Sequence, residues 1–331
     1  MSYLNPSQGW LRVALEDSYG QGQGTGDWQV LQPTEAPEVS EENVKVEHNP
    51  VSPTVDSLPH GTIKDHATLS ATVYVCSNNF DDSDQTPTLS PVIEAGMGQV
   101  TTSGDTSSPP VQAEYSFAQD MGASAVFEWT FKDKTTGDWL RWTLKGARCT
   151  WTMSGSEDER LTMDIEATAK WAKPEKVSSP TLPSGGIDEP FIAQNISYSL
   201  GDTGTSITSF EFSPNHETNA YTDTEGEEKL KETLVSAGDP PGGSVDPKAT
   251  LDSVTGSSGE QAAGREAKTD SWTITVDNGN GKSLELDCPR TTIDPTNPDT
   301  SNPARYDLTY EAHETAYGAG DSWKLKWIAN S

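Results

Sequence analysis

The sequence predicts a mainly β protein. It reads as two tandem β-sandwich or barrel domains, each with a short flanking helix, behind an extended N-terminal arm. Three observations predict this. Apolar residues alternate with polar ones over short runs, which puts them on one face of a strand. Turn-forming residues separate the runs. The elements of one half recur in the other half in the same order.

Composition bounds the reading. At roughly 100–200 residues per domain, 331 residues fit two domains. Apolar residues make up 32%, below the usual share of about 45–50%. The 10 Trp, 9 Tyr and 7 Phe sit mostly inside the patterned segments. Each removes a large area from water, so modest cores joined by polar loops are expected. By composition the chain divides into residues 1–58 (arm), 59–176 (first β domain), 177–190 (linker) and 191–331 (second β domain).

The elements follow in order. Trp10 to Leu15 reads as a short strand, and Gly20, Gly22, Gly24 and Gly26 as a flexible loop. Pro33 to Pro59 reads as an extended arm lying on another surface. Thr68 to Val75 alternates through Leu69, Ala71, Val73 and Val75 and is a strand. A short helix is expected next, with Ser90 as cap, Pro91 in its first position and Gly96 at its end. Phe127, Trp129 and Phe131 then alternate up to a turn at Thr135-Thr136-Gly137-Asp138. The chain returns through Leu140, Trp142 and Leu144. Leu161, Met163, Ile165 and Ala167 close the first copy.

The second copy repeats this plan. Ser206 to Phe212 is matched to the Thr68 strand. Glu225, Glu227 and Glu228 suit a helix N-terminus, with Leu234 and Val235 as its apolar pair and Gly238 at its end. Trp272, Ile274 and Val276 lead to Asn278-Gly279-Asn280-Gly281. Asn-Gly is a strong hairpin signal, because both residues tolerate positive φ. Leu284 and Leu286 return, and Tyr306, Leu308, Tyr310 and Ala312 form the last matched strand. The pairs Gly96 and Gly238, Arg148 and Arg290, and Glu166 and Glu311 keep a nearly constant spacing. A further strand through Trp323, Leu325 and Trp327 completes a sheet that the first copy finishes differently.

No catalytic, cofactor or metal site is expected. His48, His60, His66, His216 and His313 stand alone and read as polar surface. Cys76, Cys149 and Cys288 are far apart and lack the spacing of a disulfide framework or a zinc site; they read as small core residues. Gly22-x-Gly24-x-Gly26 lacks the strand and helix that a phosphate-binding loop requires. Asp81, Asp82 and Asp84 lack the central Gly and the closing Glu of a calcium loop. Asp164 and Glu166 share a strand face and read as solvated carboxylates. Arg141, Lys145 and Arg148, near Trp139, Trp142 and Trp151, read as a contact for an acidic neighbouring subunit. The formal net charge of -29 repels nucleic acid and anionic membrane. The N-terminus shows no signal peptide and no run is long enough to span a bilayer. A chain made in the cytoplasm is the expectation.

Taken together, the arrangement resembles the tail tube proteins of long-tailed bacteriophages and gene transfer agents. GTIKDHATLSATVYV and TPTLSPVIEAGM carry the resemblance in the first copy, with LKGARCTWTM and ERLTMDIEATAKW. ITSFEF and RYDLTYEAHETAYGAGDSWKLKWI carry it in the second. It covers roughly residues 60 to 331. The resemblance implies a non-enzymatic virion protein, assembled in the host cytoplasm, whose copies close into stacked rings around a channel that DNA crosses. Two copies per chain favour a trimer imitating a hexamer, with a true hexamer as the other possibility. Tail terminator, tape measure and distal tail proteins are the implied partners, and no membrane is involved. The hairpins Ala125 to Leu144 and Ser271 to Asp287 would line the channel, with Glu128, Glu285 and Asp287 as an acidic wall. Alternatives are a distal tail or hub subunit, a tandem β-sandwich adhesin, and a hydrolase using paired carboxylates.

Overall fold

The computed structural model describes residues 4–23, 28–46, 61–76, 86–105, 108–118, 123–133, 136–178, 180, 189–200, 203–222, 230–247, 270–295 and 308–329. The first half carries β1 (Leu4–Leu15), β2 (Gln29–Leu31), β3 (Glu38–Val46), β4 (Gly61–Tyr74) and helix α1 (Ser90–Ala95). It continues with β5 (Gly98–Asp105), β6 (Ser108–Phe117), β7 (Ala125–Asp133), β8 (Trp139–Ser156), β9 (Thr162–Lys170) and β10 (Glu175–Val177). The second half carries β11 (Asn195–Leu200), β12 (Thr203–Ser213), β13 (His216–Thr222), β14 (Leu230–Ala237) and β15 (Gly242–Pro247). It ends with β16 (Asp270–Asp277), β17 (Lys282–Pro295), β18 (Leu308–Ala312) and β19 (Lys324–Ala329).

The chain is mainly β, and its pairings form two closed rings of strands. In the first, β1 pairs with β2 and β7, β7 with β8, β8 with β9, and β9 with β4. The ring closes where Pro33 bridges Val73, with Thr34 N–H donating to Thr72 O and Tyr74 N–H to Gln32 O. In the second, β11 pairs with β12 and β16, β16 with β17, β17 with β18, β18 with β15, and β15 with β12. Every ladder is antiparallel. Numbered along the chain, both rings run first, second, third, sixth, fifth, fourth and back to first. Closure satisfies backbone N–H and C=O groups that an open sheet would leave at its edges.

The shared order corrects part of the sequence reading. β4 takes the place that β15 holds in the second ring, and β12 takes that of β2. The Thr68 and Ser206 strands are therefore not equivalents. The equivalent of β11 is β1, from the segment read as a lead-in. The strand read at Trp10 to Leu15 forms within β1 and is ring wall, not irregular lead-in: Leu11, Val13 and Ala14 are wholly buried. The stretch read as an arm on another surface, Pro33 to Pro59, instead pairs within the chain where β3 lies on β4. The resemblance between β8 and β17, and between β9 and β18, does follow ring position. A seventh strand pairs the start of the fifth in each ring, β10 on β8 and β19 on β17. The first copy's version is only three residues long, which is the difference in sheet completion expected from the Trp323 segment.

One expected helix forms and one does not. Pro91 sits in the first turn of α1, where a missing N–H costs nothing. Ser90 lies inside the helix, not at its cap, and its hydroxyl donates to Glu94 Oε1 at 2.7 Å. Gly96 ends the helix at negative φ, and Met97 takes the left-handed turn. Glycine is required at 96 because a Cβ there would lie 2.8 Å from the Trp151 indole. The Leu234–Val235 segment is strand β14, hydrogen-bonded to β13. Thr233 and Val235 alternate into buried positions, and β-branched side chains favour that pleated surface. Glu225, Glu227 and Glu228 fall outside the described residues.

The rings are fused by main-chain pairing. The end of β8 (Met153 to Ser156) pairs with β12, and β6 pairs with β19. Trp151, Phe212 and Trp323 meet at this junction with ring centroids 5.8 to 5.9 Å apart. Inside the second ring, Trp272 stacks on Tyr310 at 4.5 Å and lies 5.3 Å from Tyr198. In the first ring Phe127, Trp129 and Phe131 are buried as well.

Candidate assembly surface

Closing the rings leaves some strands outside them. β3 pairs only with β4, β5 only with β6, and β10 only with β8, among the described residues. Each presents one row of backbone groups without a strand partner. Such edges are templates for another strand. On β5, Gln99, Thr101, Thr102 and Ser103 are exposed. Two of these edges belong to insertions in the first copy: β3 between its second and third ring strands, where the second copy inserts β13–β14, and the hairpin β5–β6 between its third and fourth.

The first hairpin differs from its expected role. Almost every residue of β7 is buried on both faces. Glu128 does not face an open wall; it is 6% exposed, with Arg12 at 2.7 Å and Arg141 at 3.8 Å. Arg141 also approaches Glu175 at 3.9 Å. Arg12, Glu128, Arg141 and Glu175 thus alternate in sign across β1, β7, β8 and β10, and Trp28 stacks on Arg12 at 4.3 Å. Opposite charges on neighbouring strands attract across the ladder. Arg141 is consumed inside the chain, and so is Arg148, which is buried and donates to Ala123 O at 2.5 Å. Burial pushes the Arg148 pKa down. Of the three bases read as one docking cluster, only Lys145 is exposed.

The second hairpin keeps an open polar face. Glu285 and Asp287 lie on β17 opposite Lys326 and Lys324 of β19. Lys326 Nζ contacts Glu285 at 2.5 Å and Asp287 at 3.9 Å, and Lys324 contacts Glu114 of β6 at 3.0 Å. This face is half-buried and mixed in charge. A turn forms at the expected place, but only its glycines take the left-handed conformation: Gly279 and Gly281 adopt positive φ while Asn278 and Asn280 do not, and Asn278 Oδ1 accepts from the Asn280 and Lys282 N–H groups.

Asp164 and Glu166 do share an exposed face of β9. They line a groove of about 580 Å³ with His216, Glu217 and Asp239. Asp164 Oδ1 accepts the Thr72 hydroxyl at 2.5 Å. His216, read as surface, is 6% exposed. Its Nε2 lies 2.5 Å from the Cys149 carbonyl oxygen, and its Nδ1 has no partner among the described residues. Burial lowers its pKa, against the Cys149 hydrogen bond that raises it, so the ring is neutral with Nε2–H donating. A general base for a nucleophile needs a hydroxyl or thiol on its free nitrogen, and His216 has none. The groove holds exposed carboxylates beside the buried His216.

The remaining residues are placed as follows. Cys76, Cys149 and Cys288 are free and buried, as core residues should be; burial pushes the Cys149 thiol up to about 12. His66 lies 3.4 Å from Asp65, and His313 Nε2 lies 2.9 Å from the Thr292 hydroxyl. His48, His60 and Asp81, Asp82 and Asp84 are outside the described residues. Gly20 and Gly22 do cradle an anion, but it is the chain's own Glu16, which accepts from both N–H groups. Among the described residues no three His, Cys, Asp or Glu are grouped to hold a metal ion, and no helix is long and apolar enough to cross a membrane. No protein-family model matches the sequence. No curated protein matches it either.

Proposed function

We propose that this chain is a non-enzymatic structural subunit that assembles with copies of itself into stacked rings, as the major tail tube protein of a bacteriophage-like virion. The observation that carries the reading is the pair of strand rings with one shared order, joined by main-chain pairing and flanked by strands with an open edge. A chain with two equivalent units supplies two of six positions around an axis, so three chains build a ring of six. Open edges such as β5 give neighbours a backbone ladder to complete. Repeated heterologous contacts of this kind generate rings and filaments.

In this reading the channel face is the polar face of β16, β17 and β19, which carries Thr273, Thr275, Glu285 and Asp287. The Ala125 to Leu144 hairpin is less suited, since β7 is covered on both faces. A surface whose charge is compensated locally, on a chain of net charge -29, holds no cationic stripe for phosphates to grip. DNA would pass without specific binding.

Negative-stain electron microscopy across a concentration series tests this. Hollow tubes or stacked rings with a central channel are expected, with threefold symmetry of a sixfold-like outline. Monodisperse monomers at every concentration, including after seeding with tail tips, would overturn it.

A further inference from the structure

Strand β9 carries opposite charges at its two ends. The acidic groove described above lies at its start, with Asp164, Glu166, Glu217 and Asp239 exposed. Among the described residues no Lys or Arg lines that groove. His216, on its floor, has its Nδ1 without a partner among the same residues. At the far end, about 20 Å along the strand by the rise per residue, a second groove of about 330 Å³ is lined by Lys145, Lys170, Lys173 and Trp171. Its one acid among the described residues, Glu175, already approaches Arg141 at 3.9 Å. None of the three lysines enters an ion pair among the described residues. Lys170 is held in place, its Nζ lying 5.1 Å from the Tyr19 ring centroid.

A chain with 22 bases against 51 acids gathers three of those bases around one concave surface. The hairpin β13–β14 separates the two grooves. It lies on β9 through Thr168 and Thr218 hydroxyls 3.3 Å apart and through the Thr233 hydroxyl donating to Thr168 O. The grooves therefore cannot neutralise each other within one molecule. Between molecules they can.

We propose that the basic groove of one copy receives the acidic groove rim of the next, forming a head-to-tail ionic contact between copies of this chain. The inference rests on the self-assembly reading and names the surfaces that would carry one of its contacts. The occupant is a second copy, because charge of the required sign is displayed on the same strand of every molecule. A contact between different patches is heterologous, so it propagates and does not stop at a dimer. Complementary patches also speed encounter and set register.

Two double variants test it: Lys145→Glu with Lys173→Glu, and Glu166→Lys with Glu217→Lys. All four side chains are exposed, so both proteins should keep the wild-type circular dichroism spectrum and melting temperature. Each alone is expected to weaken self-association in sedimentation velocity by at least about tenfold. An equimolar mixture should regain wild-type association, because each variant then meets its charge complement. If a reversed variant does not fold, Lys145→Ser with Lys173→Ser supplies the same test, with a smaller loss. Association unchanged by the reversals, or a mixture of folded variants that does not recover, overturns this contact and leaves the tube reading standing. A wild-type chain that never associates removes the tube reading itself.

Discussion

Glu16 is held at the mouth of the first ring by donors from three separate segments. The Gly20, Gly22 and Gly146 N–H groups and the Ser124 hydroxyl all donate to its carboxylate. A buried carboxylate of this kind is stable only because its lone pairs are filled. His216 is the opposite case, buried with one nitrogen unsatisfied. Its pKa lies below the ordinary value of about 6.5, first because burial disfavours the charged form. The unfolded chain therefore takes up a proton more readily than the folded one below about pH 6.5. Its contribution is complete above that pH and is lost as pH falls toward the lowered folded value. The loss is up to about 1.4 kcal/mol per pH unit. Urea denaturation of the wild type and of His216→Gln between pH 8 and pH 5.5 checks this: the variant should lack that part of the slope. Equal slopes would mean that His216 does not titrate with folding. None of this was legible from an isolated His in a polar stretch, since its burial comes from β8 of the other ring.

At the scale of elements, β15 is the strand that closes the second ring, and it does so through two glycines. A Cβ on Gly243 would stand 1.8 Å from Glu211 O, and one on Gly242 would stand 2.2 Å from Tyr310 O. At these two positions the backbone of β15 is thus pressed against β12 and β18 with no room for a side chain. Gly243→Ala is expected to cost about 2 kcal/mol or more, since the obstacle is rigid backbone in a ladder. Thermal melts should show the drop, while Gly137→Ala, with nothing within 4 Å of its Cβ but a positive φ, should cost about 1 kcal/mol. A Gly243→Ala protein as stable as the wild type would contradict closure at this point. Most strands were readable from alternation: β7, β8, β9, β16 and β19 carry their apolar residues where period two puts them. β14 was misread because an apolar pair among Glu and Lys fits one helical turn as well as a strand. Its partner β13, which decides the matter, has almost no apolar pattern.

The whole molecule behaves as one body if the seams between its rings matter. Two backbone ladders join the two halves of the chain, β8 with β12 and β6 with β19. Trp151, Phe212 and Trp323 fill the space between. Trp323 is wholly buried, so Trp323→Ala should destabilise by about 3–5 kcal/mol. The wild type should unfold in a single transition, with far-ultraviolet circular dichroism and tryptophan fluorescence superimposing. Two separated transitions in the wild type would show that the rings fold independently and that the seam is weak.

Taken alone, the sequence determined the secondary structure class, most strand positions and the hairpin turns. These are local properties: side-chain period, turn chemistry and spacing along the chain set them. Only the tertiary structure decided that the N-terminal segment is ring wall, that β4 answers to β15 and not to β12, and that Glu128, Arg141 and Arg148 are spent within the chain. It also decided that two grooves of opposite charge share one strand. Those outcomes depend on which distant strands meet, and antiparallel pairing is chosen by backbone geometry and burial across the whole fold. Alternation shows which side of a strand is apolar; it carries no information on what will cover that side.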